Sequence, residues 1–117
     1  MLARIPLPLA VATNCSIRLG RLAADRLGVP FKVVATAESV GFYKPRPETY
    51  RAVLGALGTA PERTLFVAGS ASDVPGAKAV GMPVYWHNRV GLPPRDDARP
   101  DYLERSLDKL TDLFAEA

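Results

Sequence analysis

Short apolar runs alternate with longer amphipathic stretches along the whole sequence, and this pattern limits the fold more than any other feature. Such alternation is typical of repeated strand–helix units, in which helices cover a parallel β-sheet. We therefore predict an α/β fold. The predicted strands are residues 9–13, 32–36, 64–68 and 83–87, and the predicted helices are residues 16–27, 47–57, 74–80 and 103–115.

Polar and breaking residues mark the ends of these elements. Ser16 is a suitable N-cap for the first helix, and Gly28 a suitable end, because glycine readily adopts a left-handed conformation. Pro47 fits the first turn of its helix, where its missing N–H costs nothing. Residues 88–100 are predicted to form a loop. In the first helix, the apolar residues predicted to face the core are Leu19, Leu22, Ala23 and Leu27.

Composition excludes several classes of protein. The chain has 117 residues, 48% of them hydrophobic and 23% charged, which fits one globular domain. No apolar stretch approaches the roughly 18 residues of a membrane-spanning helix, so we expect a cytoplasmic protein without a membrane partner. The 15 Lys and Arg residues are scattered, which argues against a nucleic-acid partner. A single cysteine excludes an internal disulfide and a Cys-rich zinc site.

Four polar segments follow the predicted strands. They are residues 13–16 (TNCS), the loop that contains Lys44, residues 70–73 (SASD) and residues 87–89 (HNR). Ligands of open parallel sheets bind beyond the carboxyl ends of the strands, so these segments are predicted to share one rim. Hydroxyl, amide and ammonium groups together suit a small anionic substrate, such as a carboxylate or a phosphate.

Each candidate residue also has a purely structural interpretation. Thr13 fits the end of a buried strand, and Asn14 fits a turn. Lys44 fits a solvated loop, and Asp73 fits an N-cap ahead of the helix that starts near Val74. A nucleophilic pair of Cys15 and His87 is conceivable only if their two strands are neighbours.

Three segments resemble motifs of the haloacid dehalogenase superfamily. Residues 12–16 (ATNCS), 44–50 (KPRPETY) and 65–77 (LFVAGSASDVPGA) resemble its motifs two, three and four, in the family's order. Residues 81–89 (GMPVYWHNR) resemble its 2-haloacid dehalogenase branch. The resemblance covers about residues 9–115 and implies a Rossmann-like three-layer parallel sheet with helices on both faces.

The resemblance also implies roles for individual residues. Thr13 would bind the anionic part of the substrate, with the Asn14 amide beside it. Ser70 and Tyr50 are the further candidates for substrate binding. Lys44 would balance negative charge at the nucleophile, Asp73 would be the second acid of motif four, and Tyr50 completes the KPxPxxY pattern. The family reaction begins when an aspartate carboxylate attacks carbon or phosphorus, and water then hydrolyses the resulting ester.

This sequence departs from the family pattern in three respects. Ala68 and Ser70 stand where the dehalogenase branch often has Ser and Asn, which bears on substrate specificity. The family nucleophile lies in an N-terminal DxD motif followed by a cap domain, whereas the first aspartate here is Asp25, within a predicted helix. We therefore expect a single partial core domain, the C-terminal part of a 2-haloacid dehalogenase-like hydrolase, that is inactive on its own. Gly69 replaces one expected magnesium ligand, which predicts no cofactor and disfavours Mg²⁺. The alternatives are a catalytically silent anion- or protein-binding module and a phosphatase of the same superfamily.

Because the first family strand, which carries the DxD motif, is not found in this sequence, we predict an incomplete sheet of about four strands. The family strand order is 5-4-1-2-3, so the expected gap falls at the central strand. Open strand edges recruit other chains. We predict that either the strands near Leu9 and Leu65 pair directly, or two chains associate or swap to form a dimer.

Overall fold

All strand pairs in the computed structural model, which describes residues 7–94 and 99–114, are parallel. This confirms the predicted α/β class. In chain order the elements are β1 (Ala10–Thr13), α1 (Ile17–Arg26), β2 (Val33–Thr36), α2 (Ala37–Val40), α3 (Pro47–Leu57), a 3₁₀ turn (Pro61–Arg63), β3 (Phe66–Ala68), α4 (Asp73–Ala79), β4 (Val84–His87), β5 (Tyr102–Glu104) and α5 (Asp108–Phe114). No helix in these two ranges is long and apolar enough to cross a membrane.

The strands form two separate sheets. One sheet is the pair β1–β2, and the other has the order β3–β4–β5. The predicted direct pairing of the strands near Leu9 and Leu65 is therefore wrong, because β1 and β3 belong to different sheets. A groove of about 730 Å³ is lined by residues 7–9, which lead into β1, and by Leu65 and Val67 at β3.

Helix α3 connects the two sheets. It packs against β1 and β2 of one sheet and also against α4, which covers β3 and β4 of the other. The Tyr50 ring on α3 meets the Phe66 ring of β3 edge-on, with centroids 5.2 Å apart. Helix α3 therefore bridges two sheets whose strands β1 and β3 are not hydrogen-bonded to each other.

The main core lies between α3, α4 and the strands β3 and β4. Its largest buried side chains are Tyr50, Leu54, Val74, Val84 and Trp86. Successive strand residues point to opposite faces, so Tyr85 lies on the other side of β4 from Trp86. Tyr85 is also buried, and its hydroxyl donates a hydrogen bond to the carbonyl oxygen of Ser106 at 2.8 Å.

The predicted helix at residues 103–115 is wrong in its first part. Residues 102–104 form β5, and α5 begins only at Asp108; Ala115 lies outside the described residues. Asp101 causes the difference, because its carboxylate accepts a hydrogen bond from the Val84 N–H at 2.7 Å. Its own N–H donates to the Val84 carbonyl at 2.8 Å, which aligns the following residues with β4.

Helix α2 was not predicted. Thr36 and Ser39 form a reciprocal capping box: the Ser39 N–H donates to Thr36 Oγ1 at 3.0 Å, and the Thr36 N–H donates to Ser39 Oγ at 2.9 Å. Two satisfied N–H groups stabilise this single turn directly after β2.

Helix α1 begins as predicted but turns its small residues inward. Ser16 caps it, accepting a hydrogen bond from the Leu19 N–H at 3.2 Å. The predicted apolar face is wrong, since Leu19, Leu22, Ala23 and Leu27 are exposed and Gly20 and Ala24 are buried. A β-carbon at Gly20 would lie 2.5 Å from Thr36 Cγ2, so glycine allows the close approach of α1 to the sheet.

Candidate functional site

Lys44 and Asp73 form an ion pair between the two halves of the molecule. Lys44 lies in the loop between α2 and α3, and Asp73 is the first residue of α4. Lys44 Nζ lies 3.2 Å from Asp73 Oδ2, and the two side chains are only 18% and 7% exposed. The structure therefore brings together both residues predicted to be catalytic.

Three side chains donate hydrogen bonds to the Asp73 carboxylate. Besides Lys44, the Tyr50 hydroxyl donates to Oδ1 at 2.6 Å and the Ser70 hydroxyl donates to Oδ2 at 3.2 Å. These donors hold the carboxylate in one orientation. The N-cap of α4 is Ser72, so the interpretation of Asp73 as an N-cap is wrong, and a catalytic role of Asp73 stays a prediction.

Tyr50 and Phe66 form the apolar floor of this cluster. Tyr50 is completely buried, and burial, reinforced by the hydrogen bond to Asp73 and the charge of Asp73, raises the pKa of its phenol far above the ordinary value. Lys44 Nζ lies 5.9 Å from the centroid of the Phe66 ring, within the range of a cation–π contact. The sequence pattern predicted Phe66 only as a strand residue, because its position beneath Lys44 depends on the folded structure.

Asn14 fixes the loop that carries Lys44. Its Oδ1 accepts a hydrogen bond from the Lys44 N–H at 2.7 Å, and its Nδ2 donates to the Lys44 carbonyl at 3.3 Å. The Thr13 hydroxyl donates to Cys15 Sγ at 3.2 Å. Asn14 is thus connected to the site by its hydrogen bonds to the Lys44 backbone. The binding of an anion by Thr13 and Asn14 stays a prediction.

The fourth predicted polar segment forms a turn of its own. The Asn88 side chain accepts a hydrogen bond from the Leu92 N–H and donates one to the Leu92 carbonyl, both at 2.8 Å. Cys15 follows β1 and His87 ends β4, and these strands lie in different sheets. The condition for a Cys15–His87 pair is therefore not met.

Hydrogen bonds occupy both oxygens of the Asp73 carboxylate, the acid that resembles the second acid of motif four. Mg²⁺ favours one or two free carboxylates and keeps several water ligands. Here both oxygens of Asp73 already accept hydrogen bonds, and Gly69 offers no side chain at the end of β3. Among residues 7–94 and 99–114, no three acidic, histidine or cysteine side chains gather into a possible metal site.

Comparison with known proteins identifies the family. Residues 2–81 match the family model of haloacid dehalogenase-like hydrolases. The chain belongs to this family. Its resemblance to the superfamily is therefore confirmed. The Rossmann-like α/β fold is also confirmed, because the chain is similar to a crystal structure of an L-2-haloacid dehalogenase with a TM-score of 0.84 and 28% sequence identity. That match covers 95% of this chain and 50% of the dehalogenase.

Relatives of this chain include both dehalogenases and phosphatases. Haloacetate dehalogenase H-2 of Moraxella sp. (strain B) is 33% identical over 110 residues, which cover 92% of this chain and 49% of that enzyme. Phosphoserine phosphatase of Thermus thermophilus is 36% identical over 99 residues, covering 81% and 39%. The chain thus spans half or less of the length of these relatives, and family membership alone leaves the reaction open.

Proposed function

We propose that this chain is part of a hydrolase that removes halide from a short 2-haloacid. The observation that carries the proposal is the ion pair of Lys44 and Asp73, which Tyr50 and Ser70 hold at the carboxyl end of β3. An ammonium group held there can attract a carboxylate substrate and balance the charge of an attacking carboxylate. The donor set needs no metal for either task.

The proposed reaction proceeds through an aspartyl ester. A carboxylate oxygen attacks the halogen-bearing carbon; the new C–O bond forms as the C–halogen bond breaks, and the halide leaves with its electron pair. Water then hydrolyses the ester, which regenerates the carboxylate and releases a 2-hydroxyacid and a proton.

Asp73 is a poor choice for that nucleophile, because its oxygens accept hydrogen bonds from three donors. We assign it instead to the orientation of Lys44. The attacking carboxylate would come from a further segment of the protein or from another chain, inserted beside the open edges of β1 and β3. A parallel strand there would end on the same side as β1 and β3, where Asn14 and Asp73 follow them.

Two other functions have support of their own. The phosphatase alternative is favoured by the relative from Thermus thermophilus and opposed by Gly69 and the hydrogen bonds on Asp73. A silent binding module is favoured by the groove beside β3, where Val67 is 41% exposed.

A chimera separates these three functions. The matching residues of the Moraxella haloacetate dehalogenase are replaced by this chain, and halide release from 2-chloropropionate is measured beside hydrolysis of p-nitrophenyl phosphate, with and without Mg²⁺. We expect halide release without Mg²⁺, strongly reduced by Lys44→Ala. Arg46→Ala is the matched control, since the exposed Arg46 side chain pairs with Glu48, lies over the Phe42 ring and makes no capping hydrogen bond to α3.

The other outcomes are equally informative. Phosphate release that requires Mg²⁺ would establish the phosphatase. Binding of a carboxylate without turnover would favour the binding module. Halide release by this chain on its own would contradict the need for an added carboxylate.

A further inference from the structure

Helix α4 leaves no room for a side chain at Gly76. A β-carbon at this position would lie 2.6 Å from the Tyr50 hydroxyl oxygen, 2.9 Å from Tyr50 Cε2 and 2.8 Å from Pro45 Cβ. All three distances are shorter than real β-carbon contacts, so a side chain at residue 76 would force Tyr50, Pro45 or the helix itself to move. Gly76 is also buried, which leaves little room to yield.

The atoms that a β-carbon at Gly76 would contact belong to Tyr50 and Pro45, and both residues are connected to the Lys44–Asp73 ion pair. The Tyr50 hydroxyl donates to Asp73, which precedes Gly76 by one helical turn on the same face of α4. Pro45 directly follows Lys44, whose ammonium group is the second donor to Asp73. Because Gly76 has no side chain, both the Tyr50 phenol and the loop that carries Lys44 can pack against α4.

We propose that Gly76 is a positioning residue of the Lys44–Asp73 site. Its lack of a side chain lets the Tyr50 hydroxyl reach Asp73 and lets the loop with Lys44 rest against α4. The inference rests on the proposed function only in treating this ion pair as the working part of the site.

A role in general packing makes a different prediction. If Gly76 merely allowed α3 and α4 to pack, its replacement would have the same effect with or without the hydroxyl of Tyr50. A positioning role makes the effect depend on that hydroxyl, because its oxygen makes the shortest contact with the added carbon.

The experiment is a double-mutant cycle in this 117-residue chain. Gly76→Ala, Tyr50→Phe and the double variant are compared by urea unfolding, and the NMR shift of the Tyr50 Cζ atom is followed in the variants that keep the tyrosine. Gly55→Ala is the matched control, since Gly55 is also in a helix but a β-carbon there meets nothing within 4 Å.

We expect Gly76→Ala to lower the urea midpoint and to shift the Tyr50 Cζ signal towards that of an exposed tyrosine. In the Tyr50→Phe background, Gly76→Ala should lower the midpoint by less than it does in the parent chain, since the phenyl ring no longer carries the oxygen. Gly55→Ala should leave both readouts unchanged or raise the midpoint slightly. Equal losses from Gly76→Ala in the parent chain and in the Tyr50→Phe variant, or a double variant that does not fold, would overturn the proposal.

These readouts need no substrate, so they separate this inference from the proposed function. A chimera that releases no halide would contradict the dehalogenase proposal and leave the coupling of Gly76 and Tyr50 measurable. An active chimera without that coupling would overturn the inference about Gly76 alone.

Discussion

Tyr50 and Asp73, 23 residues apart in sequence, are joined by a hydrogen bond of 2.6 Å from the phenol oxygen to Oδ1. This bond connects α3, which packs on the first sheet, with the start of α4, which packs on the second. It therefore links the two sheets at the same point at which it orients the partner of Lys44. Stability and site geometry depend on one hydroxyl group.

Replacing Tyr50 by phenylalanine tests this link. The ring and its contact with Phe66 are kept, whereas the buried carboxylate loses one donor. A hydrogen bond to a charged group contributes about 2 kcal/mol, so the unfolding free energy should fall by about that amount. Urea denaturation measures it. The control Tyr43→Phe, at an exposed position, should change stability by less than about 0.5 kcal/mol; equal effects would contradict the assignment.

The same hydroxyl predicts a loss of stability in alkaline solution. Burial, then the hydrogen bond and charge of Asp73, raise the pKa of Tyr50 in the folded chain. A group with a raised folded pKa contributes stability that is complete below its unfolded pKa, about 10, and declines as the pH rises beyond it. The difference in unfolding free energy between the parent chain and Tyr50→Phe should therefore shrink above about pH 10. A difference that stays constant would contradict this prediction.

The sequence predicted those parts of the fold that depend on local patterns. The parallel strands follow from apolar runs, and Lys44, Tyr50 and Asp73 follow from the resemblance to the family motifs. Their surroundings depend on contacts between distant segments. Phe66 under Lys44 and Gly76 against Tyr50 become visible only once α3 and α4 are packed. The face of α1 was mispredicted because Gly20 approaches Thr36 more closely than a leucine could.

Asp101 provides a test of the unpredicted strand β5. Asp101→Ala removes the acceptor of the Val84 N–H and the partner of Lys78, 3.0 Å away. Leaving that N–H unpaired should cost about 1–2 kcal/mol, with little from the half-exposed ion pair. Urea unfolding measures the loss. Lys78→Ala is the control, since it removes the ion pair alone and should cost about 0.5 kcal/mol or less.

Acid titration gives a second test of Asp101. The hydrogen bond from the Val84 N–H lowers its pKa, and Lys78 lowers it further against the opposing effect of burial. A group with a depressed folded pKa contributes stability that is present above its unfolded pKa, about 3.9, and is lost as the pH falls through the folded value. The advantage of the parent chain over Asp101→Ala should therefore diminish below about pH 4. An advantage unchanged down to about pH 2 would contradict it.

Lys44 should stabilise the fold as well as serve the site. Lys44→Met keeps the length of the side chain but leaves the mostly buried Asp73 without its ionic partner. We expect a loss of about 1–3 kcal/mol, below the cost of breaking a fully buried pair because Lys44 is partly exposed. Asp73→Asn in the Lys44→Met background should cost much less than in the parent chain. Additive effects of the two substitutions would show that the ion pair is not coupled.

The open edges of β1 and β3 lead to a final prediction, that this chain self-associates. Each strand leaves backbone N–H and C=O groups unpaired on the edge that no other described strand covers, and such edges pair with strands of other chains. Sedimentation should show dimers that increase with concentration. Val67→Lys should reduce them, since Val67 lines the groove on β3 and a charge there opposes pairing. Val90→Lys, at an exposed site outside the strands, should leave them unchanged. A chain that stays monomeric at high concentration would exclude self-association. The groove beside β1 and β3 would then be a site for a segment with a different sequence from this chain.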